Sequence, residues 1–197
     1  MTLEQRAAAY AAAFPTRPPL QLVQEGGQPV IYGHFLIGQD YRNKTTFYGA
    51  YPNGLLQRIA ALFPDAVGAQ TLHAFSGSLP PGDYTRLDVN PDNRPDVIGD
   101  VCDVARLFHK QGRFKLVIAD PPYSSEDAKR YGTPMINRGR ATRALASVVY
   151  SGGHLVWLDT VWPMFSKALW RTAGRITVVR STNHRVRLLS IFERVAS

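Results

Sequence analysis

Residues 115–123 read KLVIADPPY, an apolar run that ends on an acid, two prolines and an aromatic. Leu116 to Ala119 have the length and composition of a buried strand, and Pro121 and Pro122 forbid its continuation, because each fixes φ and lacks an N–H donor. Asp120 is therefore placed at the carboxyl end of a strand. On either side the same pattern of short apolar run and polar loop recurs: TLHAFSGS (71–78), YTRLDVNP (84–91) and PDVIGDVCD (95–103) upstream, GGHLVWLD (152–159) downstream. GLLQRIAALF (54–63) puts Leu55, Leu56, Ile59, Leu62 and Phe63 at helical spacing and stops at Pro64. A basic stretch from Tyr123 to Tyr150 is predicted helical, as is WPMFSKALW (162–170). RITVVRS (175–181) and RVRLLSIFERV (185–195), joined by Thr182-Asn183-His184, read as a terminal hairpin. Residues 1 to 30 read as a helix, the proline-rich connection PTRPPLQL and a turn at Gly26 and Gly27, with no chemistry assigned.

Apolar strands alternating with helices predict an α/β domain with a mostly parallel sheet, helices on both faces and a C-terminal antiparallel hairpin. Ligands in such sheets bind at the carboxyl ends of the strands, so Ser76, Asp88, Asp100 and Asp120 are expected along one rim. With 197 residues the chain is read as one domain, 1–197, with 1–30 as an extension. Its 45% hydrophobic and 19% charged content describes an ordinary globular protein. No apolar run reaches the roughly 20 residues of a membrane span, and the alanine-rich start carries Glu4 without a basic leader, so a cytoplasmic protein with no membrane partner is expected. The single Cys102 excludes an internal disulfide and a multi-cysteine zinc site, and His73, His109, His154 and His184 show no ligand spacing, so no metal is expected. A net charge of +8 favours a polyanionic partner.

The residue types of the 120–123 motif suit one chemical problem. An exocyclic amine on a nucleic-acid base is a poor nucleophile, since its lone pair is delocalised into the ring. Asp120 can accept one amine hydrogen and the Pro121 carbonyl another, turning the lone pair toward an electrophilic methyl group. Pro122 helps fix the loop, and Tyr123 offers a face for an extruded base. A strand-ending turn without chemistry would use the same acid and prolines.

With these residues the chain resembles the class I S-adenosylmethionine-dependent amino-methyltransferases, in which a D/N/S-P-P-Y/F motif closes the fourth strand. That family includes DNA adenine and cytosine amino-methyltransferases and some ribosomal RNA guanine methyltransferases. The resemblance implies a Rossmann-like methyltransferase domain with S-adenosyl-L-methionine as cofactor. It implies that Phe75, Ser76 and Gly77 form the cofactor loop after the first strand. This loop is poorer in glycine than the family's, and Pro80-Pro81-Gly82 leads almost directly into the next strand, which implies a compact variant lacking the first helix. Asp88 is implied to bond both ribose hydroxyls, Asp100 the cofactor's adenine amine and the Val101 amide a ring nitrogen. TTFYGAYP (45–52) resembles the segment that precedes the loop and meets the methionine end, with Tyr48 and Ala50 as contacts and Phe47, Tyr48 and Tyr51 walling the sulfonium.

Lys129, Arg130, Arg138, Arg140 and Arg143, interleaved with Tyr131, follow the motif and are expected to hold phosphates, unless they form a solvated helix face. Arg175, Arg180, Arg185 and Arg187 extend that surface, or alternate away from it. The expected activity is methylation of a base amine. The resemblance puts adenine in DNA first, because Asp rather than Ser opens the motif, and an RNA base, including guanine, is the alternative. Two rivals remain: a nucleic-acid-binding module that has lost the chemistry, suggested by the glycine-poor loop, and a methyltransferase for protein or small-molecule amines, which would favour Asn over Asp120.

Overall fold

A computed structural model describes residues 1–38, 51–109, 113–181 and 185–196. The first helix, α1 (Leu3–Ala13), opens on a capping box in which Thr2 accepts from the Gln5 amide and the Gln5 side chain accepts in return. A hairpin of β1 (Gln21–Glu25) and β2 (Gln28–Ile37) follows, where the sequence suggested only a connection and a turn. Gly26 and Gly27 both take positive φ, 56° and 79°, the conformation a two-residue hairpin turn requires. The predicted amphipathic helix is α2 (Leu55–Leu62), with Leu55, Ile59 and Leu62 fully buried.

The predicted strands are β3 (Thr71–Ala74), β4 (Thr85–Asp88), β5 (Val97–Ile98), β6 (Phe114–Ala119) and β7 (Val149–Asp159). A short helix, α3 (Val104–Phe108), links β5 to β6. The basic stretch is not one helix: α4 (Ser125–Arg130) and α5 (Arg138–Leu145) are separated at Gly132, which has φ 67°, and at Pro134, and Tyr150 already lies in β7. Residues 162–169 are not helical either. Pro163 interrupts the stretch, Trp162 and Phe165 both pack on the Phe192 ring, and the Met164 carbonyl accepts from Thr142 Oγ1 at 2.9 Å. The terminal hairpin forms as predicted from β8 (Trp170–Arg180) and β9 (Val186–Arg194).

Among the described residues nine strands make one sheet in the order β1-β2-β8-β9-β7-β6-β3-β4-β5. Only β1 and β9 run against the rest. The helices cover both faces: α1 and α2 pack over Ile118, Val156 and Ile191, while α3 and α5 pack over Val117, Trp157 and Phe192. The link from β3 to β4, residues 75–84, contains no helix, as its prolines implied. A buried arginine replaces the missing packing. Arg86 pairs with Asp96 through two side-chain nitrogens and donates to the Leu79 carbonyl, stapling the link to β4 and β5.

Candidate active site

Asp120 follows β6 at the carboxyl edge of the sheet, half-buried, and accepts a hydrogen bond at Oδ1 from the Tyr123 hydroxyl. Burial pushes the Asp120 carboxyl up to about 6; the Tyr123 bond and the Arg187 charge oppose this, and Asp159 adds to it. The Tyr123 phenol is held protonated far above its usual range, first by burial and then by Asp120. The Arg187 guanidinium lies over the Tyr123 ring, 4.7 Å from its centre. Behind the motif, Arg138 ties three elements together. Its Nε and Nη2 donate to the two oxygens of Asp159 at 2.7 and 3.0 Å, and Nη2 also donates to the Tyr123 carbonyl at 3.2 Å. Asp159, fully buried at the end of β7, further accepts from Trp157 Nε1 and the Thr160 amide. The carboxylate is thus satisfied, and it fixes the loop through arginine.

On the other side of β6 the backbone turns sharply after β3. Phe75 has φ 58° and Gly77 has φ 51°, a conformation that costs a bulky residue about 1–2 kcal/mol. Asp88 holds this turn: Oδ2 accepts from the Gly77 amide at 2.7 Å and Oδ1 from the Asn90 amide at 2.9 Å. Asp100 caps the single turn Val101–Asp103, accepting from the Cys102 amide at 2.8 Å. Ser76 lies beneath the turn, its amide bonded to the Leu87 carbonyl and its Oγ buried without a hydrogen-bond partner among the described residues. Tyr51 spans the gap between the two sides. Its hydroxyl donates to the Ile118 carbonyl at 3.4 Å and lies 3.2 Å from His73 Nδ1. Burial, then the charges of Asp120 and Asp88, raise its phenol well above the usual range, and burial lowers His73 to about 4.

Tyr51, Phe75, Gly77, Asp88, Asp100 and the 120–123 motif open on one cleft of about 1040 Å³, large enough for a cofactor and a substrate base together. Of the residues expected there, Phe75, Gly77, Asp88, Asp100, Val101 and the whole of Asp120 to Tyr123 line it. Ser76 does not, and Phe47, Tyr48 and Ala50 lie outside the described residues. The basic residues divide. Arg130 and Arg140 line the cleft, Arg140 close enough to Cys102 for its charge to oppose the burial that pushes that thiol up to about 11. Lys129 and Arg143 are exposed and do not line the cleft, and Arg138 is committed to Asp159 instead of facing a ligand. Arg180, Arg185 and Arg187 line it from the terminal hairpin, while Arg175 turns away to Glu25 and the Trp162 ring. Among the described residues no group of three or more His, Cys, Asp or Glu is placed to hold a metal ion, and no helix is long and apolar enough to cross a membrane.

No family model matches the chain, and no curated protein matches it in sequence. Solved structures do match. TrmN from Thermus thermophilus superposes with a TM-score of 0.55 at 14% identity, over 74% of this chain and 49% of that one, so the chain spans about half of TrmN's length. The rRNA methyltransferase aviRa from Streptomyces viridochromogenes matches at 11% identity over 77% and 88% of the two chains, with a TM-score of 0.46. SMU.776, a putative methyltransferase complexed with SAH, matches at 15% identity over 89% and 56%, also at 0.46. The sheet order, the rim of carboxylates and the superposition on TrmN together give this chain the fold of the Rossmann-like methyltransferases.

Proposed function

We propose that this chain is an S-adenosyl-L-methionine-dependent methyltransferase that modifies the exocyclic amino group of a nucleic-acid base. Adenine in DNA is the first candidate and an RNA base amine the second. The observation that carries the reading is the placement of Asp120 in one cleft with Asp88 and Asp100, two carboxylates at the ends of neighbouring strands.

The residues present fit the cofactor. Asp88 uses one acceptor position on each oxygen for a backbone amide, which leaves a second on each for a vicinal diol. Asp100 keeps acceptor capacity beyond its bond to Cys102, and the turn at Phe75 and Gly77 lets backbone approach a ligand closely. When bound, the cofactor would supply a methyl group on a positively charged sulfonium, and the carboxylates of Asp88, Asp100 and Asp120 make the cleft hospitable to that charge.

Asp120 would accept one hydrogen of the base amine and the Pro121 carbonyl the other. The Tyr123 hydroxyl keeps one carboxylate oxygen of Asp120 occupied, so the other meets the amine. A carboxyl raised to about 6 is ionised at neutral pH yet basic enough to share the proton that the methylated nitrogen sheds. The test is transfer of labelled methyl from S-adenosylmethionine to DNA and RNA oligonucleotides, with base analysis of the product. Label on an exocyclic nitrogen is expected. Cofactor binding without transfer to either polymer would point to other amines, and nucleic-acid binding without cofactor binding would leave a module that has kept only the fold.

A further inference from the structure

Register in the terminal hairpin decides where its arginines point. Arg187 pairs with Val178 across the β8 and β9 ladder, and the Arg180 amide donates to the Arg185 carbonyl beyond it. Residues opposite one another share a face, as do residues two apart on one strand. Arg180, Arg185 and Arg187 therefore share one face, and all three line the cleft. Three guanidinium groups on a few residues repel one another. Burial, then the charges of Arg187 and Arg185, accordingly lower the proton affinity of Arg180.

The cleft is polarised by this arrangement, with Arg140 beside Cys102 the exception at the acidic end and Asp127 beside Tyr131 the exception at the basic end. In the sheet order β9-β7-β6-β3-β4-β5, Asp88 and Asp100 lie with β4 and β5 on one side of Asp120, and the arginine face lies with β8 and β9 on the other. Tyr123 and Tyr131 stand at the basic end. The Arg187 guanidinium covers the Tyr123 ring; burial, then the charges of Asp120 and Asp127, raise the Tyr131 phenol, and Arg187 and Arg130 oppose this. A cationic cofactor suits the acidic end, and an anion suits the other.

Resting on the methyltransferase reading above, we propose that Arg180, Arg185 and Arg187 hold the backbone phosphates beside the methylated base. The ligand is a single-stranded segment of nucleic acid whose extruded base reaches Asp120 along the Tyr123 and Tyr131 rings. Three arginines on one face exceed what one phosphate can engage, which favours a strand over a mononucleotide. A base beside two aromatic rings and a guanidinium is held by stacking, which is tolerant of sequence.

The experiment measures anisotropy of a labelled single-stranded 12-mer, as DNA and as RNA, across a salt series, alongside calorimetry with S-adenosylhomocysteine. Two double variants are compared: Arg180→Gln with Arg185→Gln, and, as a charge-matched control, Lys115→Gln with Lys167→Gln, both exposed near the amino ends of β6 and β8. The hairpin variant is expected to bind the strand at least about tenfold more weakly and to flatten the slope of log affinity against log salt by about 1.4, two phosphates' worth for a single strand. The control is expected to change affinity by less than about twofold, and circular dichroism to show both folded. Equal weakening in the two variants would reduce the effect to net charge and overturn the assignment. Competition by adenosine monophosphate as effective as that by unlabelled strand would overturn the strand. A hairpin effect without S-adenosylhomocysteine binding would keep the phosphate site and defeat the methyltransferase reading; S-adenosylhomocysteine binding with unchanged strand affinity would do the reverse.

Discussion

The two wings of the sheet that flank β6 are built by different means. On one side β3, β4 and β5 are four, four and two residues long. On the other β7, β9 and β8 are eleven, nine and eleven residues long, and bury Trp157, Leu158, Trp170, Ile191 and Phe192. Packing of these apolar side chains holds the long wing, which carries Arg180, Arg185 and Arg187 to the cleft. The short wing buries fewer large side chains, Leu72, Leu87 and Val101 among them, and adds polar staples: Arg86 to Asp96, Asp88 to the Gly77 and Asn90 amides, Asp100 to Cys102. Some of the carboxylates that face the cleft are therefore the ones that shape it. Shape and ligand affinity are separable on the long side and coupled on the short side.

Five outcomes test this contrast. The largest is expected at the junction of the wings, where Asp159→Ala leaves Arg138 without its partner beneath the Tyr123 carbonyl. A loss of about 3–5 kcal/mol in denaturant unfolding is expected, on the scale of a broken buried pair. Next, Asp120→Ala is expected to slow methyl transfer by at least about 100-fold while changing cofactor affinity far less, as read by single-turnover kinetics and calorimetry. Third, Asp96→Ala strands the buried Arg86 and is expected to cost about 2 kcal/mol, with hydrogen exchange speeding first in 75–98. Exchange rising equally in β7 and β9 would mean that the wings are one unit. Fourth, Asp88→Ala is expected to weaken cofactor binding by about 1–2 kcal/mol and also to loosen the Gly77 amide, because one carboxylate serves both.

The smallest is a pH effect. Asp120 acts as an acceptor only when ionised, so turnover should fall as pH drops through about 6, by about tenfold between pH 7 and pH 5. Stability runs the opposite way. An acid whose folded value is raised binds its proton more tightly in the native state, so its contribution declines as pH rises from about 4 to about 6. Asp120→Asn should therefore melt higher than the parent at pH 8 and not at pH 4.

The strand-ending motif, the alternation of strands and helices and the terminal hairpin were legible because each is local. KLVIADPPY carries its own stop signal, and the prolines at 80 and 81 announced the missing helix. What stayed hidden depended on partners distant in sequence. Arg138 reads like Arg140 in a basic stretch, and only the buried end of β7 separates their roles. The spacing of WPMFSKALW suggested a helix, but Phe192 takes two of its rings one by one. The β1 and β2 hairpin carried a usable signal in Gly26-Gly27 between alternating residues, outweighed by the prolines before it. The shared face of Arg180, Arg185 and Arg187 required the pairing register, which composition does not give.

The position of β9 has a consequence for the edges of the sheet. It is the most C-terminal of the nine strands, yet it lies inside the sheet, and β8 touches β7 only through it. Without β9, β8 on one side and β7 on the other would each present an unpaired edge, and β9 closes both by lying between them. Such edges invite pairing with other chains, so the insertion of β9 protects both halves of the sheet at once. Arg187 arrives on that strand, so the basic wall of the cleft is completed in the same step that closes the sheet.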